Sequence, residues 1–453
     1  MFSINKKEIL CGIIVSILYL IVLILSEVIK RVFPSNKEIG RKFAHIGGGI
    51  VSLFFPIFFT SYFIPVILCV IFLFVLIITK FTGTLKSVHN VDRDTLGQFF
   101  FPFAILLTFI LASNKSYYII SILILTFSDS LAALIGKRYG SISINVRGSI
   151  KSLEGAIVFI FVTFISSIVS LLLLTDIDRI DCILIALTVS VVVCGAELVS
   201  FYGEDNIIIP LSSLLIISYM SNRIVLQNLW VILILVFSIT IVFILFLPVK
   251  KFKESSLISF MLTYFLILTL NHIKWLYPFL FLNLSLVFFI VLYQKKFNID
   301  YKDYDFIKVL PMTTSNIFLA LLNNIFNHNE IFYFIYISNC IVIISIVTYY
   351  FSYEIFGNTK RMYAILFLSF VINSFLISII PIVFYSYSLK YFLFNIIISF
   401  GILLLNILYC NYYYSCKKDD FFLKKSSKRW NIIFIFLIII FIISFILKFI
   451  LLG

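Results

Sequence analysis

Five short stretches of this 453-residue chain gather ionisable side chains at spacings that could do chemistry. The most informative runs Asp129-Ser130-Leu131-Ala132-Ala133-Leu134-Ile135-Gly136-Lys137-Arg138-Tyr139-Gly140. On a helix, Ala132, Ala133 and Gly136 fall in line with Asp129, a stripe of small residues beside a carboxylate. Such a stripe admits another backbone or a flat ligand. A carboxylate that can hold Mg2+, followed by Lys137 and Arg138 between two glycines, offers what phosphoryl transfer requires. The competing reading is a helix–helix contact in which Asp129 pairs with Arg or Lys.

The other four stretches carry matching parts. In Arg41-Lys42-Phe43-Ala44-His45-Ile46-Gly47-Gly48-Gly49, Arg41 and His45 share a helix face and, with Lys42, make a receptor for phosphate or pyrophosphate. A basic anchor leading into a glycine-rich packing face is the alternative. Gly97-Gln98 with Pro102 opens a span behind Asp92, Arg93 and Asp94, and reads equally well as a helix start. Arg147-Gly148-Ser149-Ile150-Lys151-Ser152-Leu153-Glu154-Gly155 sets glycine, hydroxyls and Lys151 ahead of a helix, where backbone N–H groups bind anions. It lacks the glycine spacing of a Walker A loop, and Ser152 with Glu154 is also ordinary capping. Last, Glu197-Leu198-Val199-Ser200 and Gly203-Glu204-Asp205-Asn206, ending in Pro210, bracket a loop with no basic residue of its own. That loop calls for a metal ion or for the cations of the other stretches.

The elements that must position these groups are membrane spans. The chain is 62% hydrophobic and only 12% charged, with 53 Phe, and its mean hydropathy is +1.14. A soluble domain carries roughly a quarter of its residues charged. We therefore expect an all-α fold, a polytopic transmembrane helical bundle of about 16 spans, from apolar runs of about 20 residues each. The expected spans lie near 8–30, 44–60, 62–80, 98–112, 117–136, 153–174, 180–200, 207–222, 227–247, 257–271, 274–293, 308–327, 330–351, 361–385, 389–413 and 430–451. The stretch from Ile9 to Ile29 is too long for a signal-peptide core and reads as a retained first span. Loops after the odd-numbered spans hold roughly 27 of the 35 basic residues, which assigns them, and the five active stretches, to the cytoplasm. The seven scattered cysteines show no zinc or disulfide pattern. The net charge of +14 belongs to loops beside anionic lipid, and no nucleic-acid partner is expected.

Polar spacing is confined to the first half, so the chain divides into residues 1–222, with the chemistry, and 223–453, an additional transmembrane domain of unassigned role. The halves show no internal repeat.

At these residues the sequence resembles the CTP-dependent lipid-alcohol kinases, the family of dolichol, phytol and CTP-dependent diacylglycerol kinases. The family pattern reads here as Arg41-Lys42 with His45, Gly97-Gln98, Asp129 with Ala132 and Gly136, Lys151-Ser152-Leu153-Glu154-Gly155, and Glu197 with Asp205-Asn206 before Pro210. Gln98 stands where an acid is usual, and Gly148 lies farther from Lys151 than the pattern has its glycine. The resemblance covers about residues 37–215. It implies transfer of a phosphoryl group from CTP to a membrane lipid alcohol, with Mg2+. Catalysis would fall to Asp129, Asp205 and Glu197, with Asp129 and Asp205 on the metal. Arg41, Lys42, His45, Gly136, Lys137, Arg138, Gly140, Lys151, Ser152 and Glu154 would hold the nucleotide. Two rivals are a CTP:phosphatidate cytidylyltransferase, whose Gly-His-Gly-Gly signature is absent, and a lipid transporter or flippase, which the span count would suit.

Overall fold

The computed structural model describes residues 6–33, 37–89, 96–146, 149–249, 252–297, 306–326, 330–356, 367–368 and 370–377. Asp92 to Asp94, Arg147, Gly148 and the spans expected at 389–413 and 430–451 lie outside the described residues, as does most of 361–385.

The chain packs as two compact units, Met1–Leu233 and Ile234–Gly453. In the first, the helices are α1 (Lys6–Val32), α2 (Lys37–Leu53), α3 (Phe55–Phe58), α4 (Phe63–Phe81), α5 (Lys86–His89), α6 (Gly97–Leu111) and α7 (Lys115–Leu123). A π-helical turn, Ile124–Ser128, runs straight into α8 (Asp129–Tyr139). Strands β1 (Ser143–Val146) and β2 (Ser149–Ser152) then form an antiparallel hairpin, followed by α9 (Leu153–Leu174), α10 (Arg179–Val199) and α11 (Asp205–Ser221). Helix α12 (Val225–Phe246) carries the boundary between the units.

Local chemistry sets the ends of these elements. Ser152 caps α9 by accepting from the Gly155 N–H at 3.1 Å, and Asp178 caps α10 by accepting from Ile180 at 3.1 Å. Asn114 does the same for α7 through Ser116 at 2.9 Å. Among the described residues, seven helices are long and apolar enough to cross a membrane: Lys6–Val32, Phe63–Phe81, Lys115–Tyr139, Leu153–Leu174, Arg179–Val199, Val225–Phe246 and Ile273–Leu292. Shorter apolar helices cover Gly97–Leu111, Asp205–Ser221, Glu254–Leu270 and Phe332–Ser345. The protein is thus a helical integral membrane protein.

Two expectations change in detail. The span near 44–60 is not one helix: α2 starts at Lys37 and stops at Leu53, and Pro56, with no N–H to give, begins the separate short α3. Glu8 fastens the chain beyond it, accepting from the Thr60 N–H at 2.8 Å and the Ser61 hydroxyl at 2.7 Å. The approach to α9 is also not plain loop. Ile144 pairs with Lys151 and Ser143 with Ser152, so Lys151 is carried on a strand.

The core of the first unit gathers Val15, Phe55, Phe59, Ile105, Tyr118 and Ile122. The second unit contains α13 (Glu254–Leu270), a 3-10 turn at Ile273–Trp275, α14 (Leu276–Phe297), α15 (Phe306–Ile325) and α16 (Glu330–Phe356). It buries Phe260, Trp275, Phe279 and Tyr336 together. Amides tie its helices, Asn323 Nδ2 donating to Asn271 Oδ1 at 2.5 Å and Asn339 Nδ2 to Asn316 Oδ1 at 2.9 Å. In an apolar surrounding such bonds take the place of a hydrophobic drive between helices.

Candidate functional site

Helix α2 brings the first cations in, and three successive glycines let it do so. A Cβ on Gly47 would strike Val22 of α1, and one on Gly48 would stand 3.1 Å from the Phe101 ring of α6. A Cβ on Gly49 would collide with Thr126 in the π-helical turn. Each glycine therefore admits a different neighbour, and α2 is seated against three elements at once. That close seating turns Lys42 and His45 onto Asp129. Lys42 Nζ lies 2.7 Å from Asp129 Oδ2 and His45 Nε2 lies 3.6 Å from the same oxygen. His45 Nε2 also faces the Leu125 carbonyl at 3.1 Å, and Thr126 Oγ1 donates to the Ile122 carbonyl at 2.6 Å. The Leu125 carbonyl, in the wider π turn, is thus met by a side chain from α2.

Lys151 makes the second ion pair. Its Nζ lies 2.8 Å from Glu197 Oε1 and 3.1 Å from Ser200 Oγ, and it also donates to the Glu197 carbonyl. Helix α11 then supplies Asp205 and Asn206 from its first turn. The Asn206 amide donates to the Gly97 carbonyl at 3.0 Å, and the Leu96 N–H donates to the Tyr202 carbonyl at 2.9 Å, which joins the start of α6 to that of α11. Carboxylate oxygens of Asp129, Glu197 and Asp205 come within 4.8 Å of one another. Three hard oxygen donors at that spacing suit a divalent cation.

These groups line one cavity of about 560 Å3. Arg41, Lys42, His45, Asp129, Gly136, Lys137, Gly140, Lys151, Ser152, Glu197 and Asp205 all border it, with Gln98 and Asn206. The remaining wall is apolar: Tyr19, Val22, Leu23, Phe72, Leu76, Val88 and Phe101. Val88 is held over it by α5, whose Ser87 bonds Ser26 Oγ at 3.0 Å and gives its N–H to Glu27 at 2.9 Å. Burial pushes the neighbouring His89 imidazole below its ordinary value, against a hydrogen bond to the Gln98 side chain that pulls it back up.

The structure gives several of the expected nucleotide-binding residues positional work. A Cβ on Gly136 would stand 2.7 Å from Ser152 Oγ, and the Gly155 Cα is 3.4 Å from the same point, so the small-residue stripe of α8 receives the start of α9. Gly140 ends α8 where a Cβ would strike both the Gly136 carbonyl and Ser152. Glu154 accepts from the Ser141 N–H at 2.8 Å and from its hydroxyl, fastening the hairpin to α9. Neither Glu154 nor Arg138 borders the cavity; the Arg138 guanidinium lies 5.2 Å over the Tyr139 ring. Glu154→Ala is accordingly expected to raise protease cleavage within residues 141–152 several-fold while lowering any catalytic rate only modestly, measured by limited proteolysis beside an activity assay. A collapse of activity with an uncut hairpin would give Glu154 a direct part in the reaction.

The apolar wall was not legible in the sequence. Its seven named residues are scattered among 53 Phe, 25 Tyr and many Leu, Ile and Val, and no spacing marks them out.

Comparison with known proteins gives one informative similarity. Over 198 residues the chain is 30% identical to a phytol kinase from Synechocystis sp., a match that covers 43% of this chain and 84% of that protein. No family model matches the chain, and no solved structure does.

Proposed function

The chain belongs to the lipid-alcohol kinase family, and from that premise we propose that it transfers the γ-phosphoryl group of CTP to the hydroxyl of an isoprenoid or glyceride alcohol in the bilayer, phytol being the first candidate. The observation that carries the reading is the two-sided cavity. Its charged side is built from helix ends that bear three carboxylates and four basic residues, and its other side is hydrocarbon. An amphiphilic acceptor and an anionic donor need such a meeting place.

Asp129 and Asp205 would hold Mg2+, for which their oxygens are the right donors. When bound, the ion supplies charge neutralisation on the transferring phosphate. Arg41, Lys42, Lys137 and Lys151 would neutralise the rest of the triphosphate. Lys42 and Lys151 are held by carboxylates in this structure, so they would exchange those partners for phosphate oxygens. Glu197, whose Oε2 is not the oxygen that Lys151 grips, would receive the hydroxyl proton. The lipid oxygen then bonds to the γ-phosphorus, the bond from that phosphorus to the β–γ bridging oxygen breaks, and CDP departs with that oxygen. Most of the rate enhancement comes from positioning and charge, which rigid helix ends supply. The basic loops support a cytoplasmic side for this surface, where CTP would reach it.

The test is the purified chain with Mg2+, labelled CTP and separate samples of phytol, polyprenol and diacylglycerol. A lipid monophosphate with CDP is expected, and ATP in place of CTP should give much less. CDP-lipid with pyrophosphate would identify a cytidylyltransferase, and no product with any alcohol would overturn the proposal.

A further inference from the structure

The apolar side of the cavity has a built floor. Tyr19, Phe72 and Phe101 border the main cavity and also a second void of about 20 Å3 beyond it, walled by Phe55, Leu68 and Ile105. That void has room for about one water molecule, so the three rings close the larger space. They are fixed in place. The Tyr19 and Phe72 rings lie 5.1 Å apart, and the Tyr19 hydroxyl bonds Ser52 Oγ at 2.7 Å. Phe101 packs at 4.7 Å on His45, the imidazole that faces Asp129. Gly48 makes room for this arrangement, since a Cβ there would crowd the Phe101 ring at 3.1 Å.

The floor also lies at depth. Tyr19 is midway along the 27-residue α1, about 20 Å of helix from either end, and Phe72 is midway along the 19-residue α4. Glu197 and Asp205 stand at the facing ends of α10 and α11, and Asp129 lies deeper within the Lys115–Tyr139 span, so the cavity runs inward from these ionic groups to the aromatic rings. A nucleotide has no use for the deep part, and a hydrocarbon chain does.

Resting on the lipid-alcohol reading, we propose that this deep part holds the chain of the acceptor alcohol and that Tyr19, Phe72 and Phe101 set the chain length it accepts. The hydroxyl is fixed at the carboxylates and the floor is fixed by packing, so the distance between them acts as a ruler. Each methylene that is buried adds binding up to the floor, and the next one must displace an aromatic ring.

The experiment compares kcat/KM for primary alcohols of increasing chain length, with CTP and Mg2+, in the full-length protein. Phe72→Ala should move the preferred length upward and raise the ratio of longest to shortest substrate by about tenfold, roughly the effect of two methylenes. Leu23→Phe, which narrows the same space from α1, should move it downward. A second readout does not need turnover: a long-chain alcohol with a diazirine at its far end is photolysed on the Asp129→Asn protein, and labelled peptides are sequenced. Labelling within α1, α4 and α6 supports the floor, even if the wild type phosphorylates nothing and the kinase reading fails. Phosphorylation with an unchanged length profile in both folded variants, or labelling elsewhere in the chain, overturns the ruler and leaves the kinase reading standing.

Discussion

Asp129→Asn is expected to lower phosphoryl transfer on the order of 10³-fold, equivalent to about 4 kcal/mol of transition-state stabilisation. Asp129 is the point where α2, the π-helical turn and the carboxylate cluster meet. It pairs with Lys42 at 2.7 Å, faces His45, and shares a 4.8 Å neighbourhood with Glu197 and Asp205. Removing its charge takes away a donor for the metal and leaves the buried Lys42 ammonium without its partner. The second effect is a stability cost of about 3–5 kcal/mol in a buried setting. The two are separable. Lys42→Met combined with Asp129→Asn should regain most of the melting temperature lost in the single variant and none of the activity. If the double variant regains activity as well, Asp129 serves packing and the assigned chemistry is wrong.

Gly49→Ala is the second large effect, and it acts at a distance from any reacting atom. The added methyl would meet the Thr126 side chain at well under van der Waals separation, and Thr126 is short, β-branched and already committed to the Ile122 carbonyl. Thr126 cannot yield by rotating, so α2 and the π turn must part. Overpacking of this kind costs about 1–3 kcal/mol. The catalytic loss should be larger in proportion, because a displacement near 1 Å at a positioned group costs about 100-fold in rate. Moving the space across the interface checks the cause: Gly49→Ala with Thr126→Gly should restore much of kcat. Failure of that rescue, with both proteins folded, would show that Gly49 matters for something other than its fit to Thr126.

These two residues also mark how far the sequence can be read. Asp129, Lys42, Lys151, Glu197 and Asp205 stand out because charge is scarce in a chain that is 12% charged, and a charge within a span is costly enough to demand a purpose. Their convergence on one cavity could be anticipated from loop sides alone. Their pairing could not, since Lys42 and Asp129 are 87 residues apart and Lys151 and Glu197 are 46 apart. The glycine triplet was legible as a packing face, yet which neighbour each glycine admits depends on tertiary contact. Pro56 could have warned that the second span breaks. The hairpin at 143–152 resisted prediction because short Ser- and Ile-containing segments between helices read as loop until a register pairs them. The aromatic floor was hidden by abundance: a Phe among 53 carries no signal until its neighbours are known.

The π-helical turn has one more consequence, which concerns heredity. Residues Lys115 to Tyr139 form a single apolar rod, and the wide turn at Ile124–Ser128 inserts about one residue into its winding. Each residue of helix turns the side chains after it by about 100°. The part of the rod before the turn packs Tyr118 and Ile122 into the core, and the part that begins at Asp129 aims the carboxylate at Lys42. A one-codon loss in between would leave the hydropathy profile almost untouched and point the carboxylate at lipid. For this protein the reading frame of a helix, more than its composition, is what a lineage has to preserve.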